Sequence, residues 1–183
     1  MATFSDVKDA HRHLMNLTRD FWLHHNLFTW QWWLLICLEI IPWIVWWRLV
    51  HKRRIVEILL YGCLVAVIAL TLDIMGSSLL LWDYPQRSVW FVFPPMIPVD
   101  YGIVPVVDML LYQYFRSWKA FLIAVSVFAL SAAFIAEPLF HRGGMYVLNG
   151  WSYVYSFPLY IAKSVVARLA MEGLRRIELR STR

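Results

Sequence analysis

The stretch IVEILLYGCLVAVIALTLDIMGSSLLL, residues 55–81, decides how this chain folds. A helix crossing a hydrocarbon core of about 30 Å needs roughly 20 apolar residues, and this run exceeds that. It closes on an aromatic-proline corner, Trp82-Asp83-Tyr84-Pro85, and carries Asp73 in its second half. An ionisable group costs several kilocalories to place in lipid, so an acid at that depth raises the question of what it does there.

Four further apolar segments flank this one, at about 29–50, 99–115, 119–140 and 151–173. The whole chain is 61% hydrophobic and 17% aromatic, with a mean hydropathy of +0.57. Soluble domains are about 45–50% apolar. The expected fold is therefore all-α, an integral membrane bundle of about five transmembrane helices occupying one domain, residues 29–183. Residues 1–28 precede it. Between 5 and 27, Val7, Ala10, Leu14, Leu17 and Phe21 recur at helical spacing, with Lys8, Arg12, Arg19 and several histidines elsewhere. This pattern predicts an amphipathic helix lying in the membrane interface, with Ser5 as its N-cap. It lacks the compact apolar region and small-residue cleavage site of a signal peptide.

The net charge of +5 comes from basic residues beside apolar runs, which argues for topology and anionic-lipid contacts and against nucleic acid. Arg48, Lys52, Arg53 and Arg54 follow the first span, Arg116 and Lys119 the third, and Arg175, Arg176, Arg180 and Arg183 the fifth. The alternate loops offer Arg87 and Arg142. Excess Lys and Arg marks the cytoplasmic side, so the C-terminus is expected inside a cell membrane and the N-terminus outside. Cys37 and Cys63 both lie in apolar segments and suggest neither a disulfide nor a metal site.

With that topology the acids acquire depths. Asp73, Asp100 at the opening of the third span and Glu137 near the end of the fourth all fall in the outer half, and Asp108 lies about two turns deeper. Each has a structural alternative. Asp73 could tie helices together, Asp100 could cap its helix, and Glu137 before Pro138 could be a solvated helix end. Glu39 beside Pro42 could mark a kink. Lys163 reads either as a buried counter-ion or as a snorkelling side chain, and Arg168 as snorkelling. Trp30, Trp32, Trp33, Trp43, Trp46 and Trp47 read mainly as interfacial belts. Trp82, Tyr84, Trp90, Phe91 and Phe93, with Tyr153, Tyr155 and Tyr160, gather beside the outer acids, where aromatic faces also attract cations. Gln113 reads as an interhelical hydrogen-bonding residue. His141–Trp151 supplies glycines and Asn149 for a tight outer loop and is no phosphate-binding loop. Zinc-protease, dinucleotide, nucleophile-elbow and aspartate-rich diphosphate motifs do not occur.

DIMGSSLLLWDYP at 73–85, followed by PVDY at 98–101, resembles the lycopene cyclase domain of carotenoid biosynthesis and, more distantly, the integral-membrane terpene cyclases. Asp73, Trp82, Tyr84, Pro85, Pro98 and Asp100 carry the likeness. Where that domain has paired glutamates, this chain has Asp100 followed by Tyr101. The chain as a whole also resembles a family of small multi-pass membrane proteins of spore-forming bacteria, which lends architecture but no chemistry. The cyclase resemblance implies proton-initiated cyclisation of a lipid-soluble isoprenoid. Asp73 and Asp100 would be acid and partner, with Glu137 as the alternative acid. Trp82, Tyr84, Tyr101, Asp108, Tyr112, Gln113 and Tyr153 would line the substrate site. No cofactor or metal is expected, Mg²⁺ entering only if the substrate carries a diphosphate. Membrane lipids are the other expected partners. Two other functions remain open from the residues: a proton-coupled transporter using the same acids as a relay, and a non-catalytic lipid-binding scaffold.

Overall fold

A computed structural model describes residues 1–92 and 96–181; Phe93 and Arg183 lie outside the described residues. The chain is all-α apart from one two-residue ladder. Its helices are α1 (Phe4–Phe21), α2 (Trp30–Leu49), α3 (Ile55–Ser78), α4 (Val104–Tyr114), α5 (Trp118–Ser131), α6 (Glu137–Arg142) and α7 (Tyr153–Ser181). Three π-helical segments adjoin them, Trp22–Asn26 after α1, Pro98–Ile103 before α4 and Ala132–Ala136 between α5 and α6.

Among the described residues, three helical stretches are long and apolar enough to cross a membrane: Trp30–Leu49, Lys52–Ser78 and Trp118–Arg142. They coincide with the expected first, second and fourth spans. The expected third span is divided between the π segment Pro98–Ile103 and the short α4, and the fifth lies within α7.

Proline chemistry explains the break in the third span. Pro105 has no N–H to give to the Tyr101 carbonyl four residues back. That carbonyl instead accepts the Trp43 indole N–H from α2, at 2.9 Å. Gly102 makes the approach possible, because a Cβ there would sit 2.6 Å from the Leu38 carbonyl oxygen on α2. A prolyl residue thus frees an acceptor, a glycine admits the neighbour, and a tryptophan satisfies the acceptor.

The cap of α1 differs from expectation. Thr3, not Ser5, is the N-cap: its hydroxyl accepts the Asp6 N–H, and Asp6 bonds back to the Thr3 N–H at 2.7 Å. The reciprocal Thr3/Asp6 pair satisfies two helix-end groups at once, which Ser5 inside the first turn cannot do. No residue of α1 is buried, and its apolar stripe of Val7, Leu14, Leu17 and Phe21 is exposed.

The largest core cluster packs α3 against α4, α5 and α7 through Ile58, Tyr61, Val65, Met109, Phe121, Val125 and Ala167. Trp46 belongs to this core, 4% exposed, and so is not part of a belt; Trp30, Trp33 and Trp47 are exposed. A second cluster lies at the far end of α3, where Leu35, Trp82, Tyr84, Met96, Met145 and Tyr146 meet. There Trp82–Asp83 pairs antiparallel with Val147–Leu148, in register Trp82 to Leu148. This ladder draws the two loops at that end together over the α3 terminus.

Candidate active site

The α3 helix ends in a tight reversal. Leu80 takes a left-handed conformation, φ 56°, and Leu81 N–H returns to the Gly76 carbonyl at 3.0 Å. This is the closing geometry of a helix C-terminus, normally reserved for glycine. The chain then runs back as an extended segment, in which residues two apart share a face. Trp82 and Tyr84 consequently both aim at Asp73: the indole N–H and the phenol O–H each donate to its Oδ1 at 2.7 Å. Asp83, between them, faces away, 3.8 Å from Arg87. The Trp82 ring lies on Gly76, where an added Cβ would come within 1.9 Å of it. The spacing of Asp73, Gly76, Trp82 and Tyr84 is thus the spacing of one packed unit.

Asp100, on the π segment before α4, completes the group. Its side chain borders the same small chamber as that of Asp73. Each acid is 7% exposed, and Oδ2 of each is buried with no hydrogen-bond partner among the described residues. Two carboxyls brought close together away from water favour sharing one proton, because ionising both costs more than ionising one. Outside the helices, burial pushes the Tyr84 phenol well above its ordinary range, which keeps it a donor to Asp73.

Glu137, at the start of α6, is nearly buried and accepts from the Tyr160 hydroxyl at 2.6 Å and the Ser156 hydroxyl at 3.1 Å. It lines a cavity of about 370 Å³ whose other walls include Phe128, Ile135, Leu139 and Phe140. Ile135 and Leu139 are 60% and 58% exposed, so the cavity mouth is framed by outward-facing apolar side chains. Behind it a chamber of about 90 Å³ is bounded by Asp73, Asp100, Trp82, Trp151, Ser156 and Lys163. Both spaces are walled by Tyr84, Met96, Val99, Val104, Tyr146 and Tyr160. The acid pair and Glu137 therefore stand on two sides of one aromatic partition.

Deeper in the bundle Asp108 and Glu57 each have donors and a counter-ion. Lys163 is a buried counter-ion and does not snorkel: its Nζ pairs with Asp108, which also accepts the Ser164 hydroxyl. The Tyr61 hydroxyl lies 3.5 Å from Asp108 Oδ1 and 3.3 Å from the Ser164 carbonyl oxygen. Tyr61 stacks on Tyr112 with centroids 4.3 Å apart, and the Tyr112 hydroxyl donates to Glu57 at 2.7 Å. Gln113 bridges helices, giving Nε2–H to the Leu49 carbonyl and accepting the His51 N–H. Arg168 is also buried, its guanidinium donating to the Phe115 and Arg116 carbonyls and lying 4.5 Å from the Trp118 and Phe121 ring centres.

Of the residues expected to contact a substrate, Trp82 and Tyr84 stand in the chamber wall, and Tyr153 packs at its edge. Asp108, Tyr112 and Gln113 belong to the deeper polar network. Tyr101 is 47% exposed and lines neither the cavity nor the chamber. Glu39 is partly exposed in a shallow groove with Trp43 and Trp47. Tyr146, Trp151 and Ser156 were not among the expected site residues. Ser156, Tyr160, Lys163 and Ser164 recur at 0, 4, 7 and 8 along α7, a polar stripe on one helix face that was available in the sequence.

No protein-family profile, curated protein or solved structure matches this chain.

Proposed function

We propose that this protein is a multi-pass membrane enzyme that cyclises a lipid-soluble isoprenoid by protonating it. The observation that carries this reading is the buried Asp73–Asp100 pair, which lies behind an aromatic wall shared with an apolar cavity. The cavity's exposed apolar rim suits a substrate entering sideways from lipid. In this reading α2, α3, the Pro98–Tyr114 segment, Trp118–Arg142 and α7 make five crossings. The N-terminus is outside with α1 on the interface, and the C-terminus is cytoplasmic.

The chemistry balances without a co-reactant. The shared proton passes to a terminal alkene or epoxide and leaves a carbocation. The next alkene supplies its electron pair, forming a ring carbon–carbon bond and moving the positive charge along the chain. Loss of a proton from a neighbouring carbon to the carboxylate pair ends the sequence, and the product is an isomer of the substrate. Trp82, Tyr84 and Tyr146 present electron-rich rings to the cation. Trp82 and Tyr84 also hold one oxygen of Asp73 by hydrogen bonds, which leaves the other without a donor among the described residues. Glu137 with Tyr160 is the alternative acid.

The test is incubation of the purified full chain, in lipid nanodiscs, with linear polyprenes and their terminal epoxides, followed by mass spectrometry for cyclic isomers. Turnover that falls at least a hundredfold in Asp73→Asn is the expected result. Absence of product from the whole panel, or full turnover in Asp73→Asn, overturns it.

The second reading, a proton-coupled transporter, draws on the polar groups that continue inward from the chamber through Lys163, Asp108 and Tyr61, with Tyr112 and Glu57 beyond. Acidification of liposomes containing the protein, abolished by Asp108→Asn, would favour it over the enzyme.

A further inference from the structure

At the end of the bundle opposite the acid pair, α3, the turn between α4 and α5, and α7 enclose a cleft of about 380 Å³. Its walls are Arg54, Tyr112, Arg116, Arg168, Glu172 and Arg175. Along α3, Glu57 beside this cleft stands sixteen residues from Asp73, about 24 Å at 1.5 Å per residue. The two sites are separate.

The cleft's charge is only partly balanced. Glu57 takes two parallel hydrogen bonds from Arg54, both 2.9 Å, and lies 3.6 Å from Arg175. Glu172 lies 3.5 Å from Arg168. Four guanidinium groups against these two carboxylates leave a surplus of two positive charges. Arg116 joins no salt bridge among the described residues, and Arg54 Nη1 is buried without a hydrogen-bond partner. Arg168 is held rigidly by its two carbonyl contacts and two aromatic rings, and it braces the cleft floor.

We propose that this cleft binds a phosphate group. Guanidinium forks match phosphate oxygens in pairs, and the surplus charge matches one phosphate. A phosphate of this kind can come from an anionic phospholipid headgroup or from a soluble phosphate or diphosphate. Neither source depends on the reaction proposed for the other end.

The test measures thermal unfolding of the full chain in a maltoside detergent during titration with phosphatidylglycerol, inorganic pyrophosphate, or oleate as an anion without phosphate. Saturable stabilisation by phosphatidylglycerol alone supports a lipid headgroup, and by pyrophosphate a soluble ligand. The double variant Arg116→Gln/Arg175→Gln should weaken half-saturation by about tenfold or more, since each lost charged hydrogen bond is worth about that factor. Arg175 is 59% exposed in its side chain and Arg116 is exposed, so their loss leaves the core intact. Glu172→Gln, which removes an acid from the cleft, should tighten binding several-fold, and Arg180→Gln outside it should change nothing. No stabilisation by either phosphate compound, equal stabilisation by oleate, or undiminished binding in the double variant overturns the proposal.

Discussion

Asp73 and Asp108 are the same residue type, both buried, one on α3 and one on the helix packed against it, yet their surroundings differ in kind. Asp108 has a lysine, a serine and a tyrosine around its two oxygens, and is 0% exposed. Asp73 has donors on one oxygen only, and its other oxygen has no partner among the described residues, in a chamber that a second acid, Asp100, also lines. A buried charge that is fully paired holds helices in place. A buried acid facing another acid adds no such attraction and keeps a proton available. The difference teaches that depth alone does not identify a reactive carboxyl; the charge of the neighbour does.

The largest effect that would sharpen this contrast is on turnover. Asp73→Asn and Asp100→Asn should each lower cyclisation by about 10²- to 10⁴-fold, the usual contribution of a general acid. The melting temperature should shift little, because neither acid is held by a cation. Asp108→Asn retaining half the product while Asp73→Asn retains none would set the two apart most clearly.

Next comes stability. Lys163→Met leaves Asp108 without its counter-ion, and removing one partner of a buried pair costs about 3–5 kcal/mol. Chemical denaturation in mixed micelles should register that loss. A variant as stable as the parent would break the comparison, since Asp108 would then not depend on its cation.

Gly76→Ala should cost about 1–3 kcal/mol by overpacking against the Trp82 ring. Its more informative readout is tryptophan fluorescence, which should change as the indole lifts from Asp73. An unchanged spectrum with full stability would mean that the ring is not seated on the glycine.

The smallest effect is expected at the N-terminus. Thr3→Ala removes one side of the reciprocal cap and should lower the helicity of α1, at a cost of about 0.5–2 kcal/mol to that helix. Circular dichroism with and without vesicles measures it. The core should not respond, because α1 buries none of its residues.

Hydropathy and length were enough to place three apolar helices, with ends that fall within a few residues of those expected, because a long apolar run favours a helix. The division of the Pro98–Tyr114 segment was not legible. Pro98 and Pro105 were visible, but which carbonyl they free, and that Trp43 takes it, depends on another helix passing at the right height. Ser5 was a reasonable cap by residue type. Thr3 prevailed because Asp6 stands three residues after it and closes the reciprocal bond.

The candidate site divides in the same way. In the sequence Asp73, Trp82 and Tyr84 were grouped by the resemblance they carry, and they meet because a helix end, a tight reversal and an extended segment are local events governed by near neighbours in the chain. Only the tertiary structure decided that Asp100 borders one chamber with Asp73, that Lys163 serves Asp108, and that arginines from three segments share one cleft. Those pairings join residues up to 121 positions apart, Arg54 to Arg175. They are set by how helices rotate and pack against one another, and residue identity alone does not encode which faces meet.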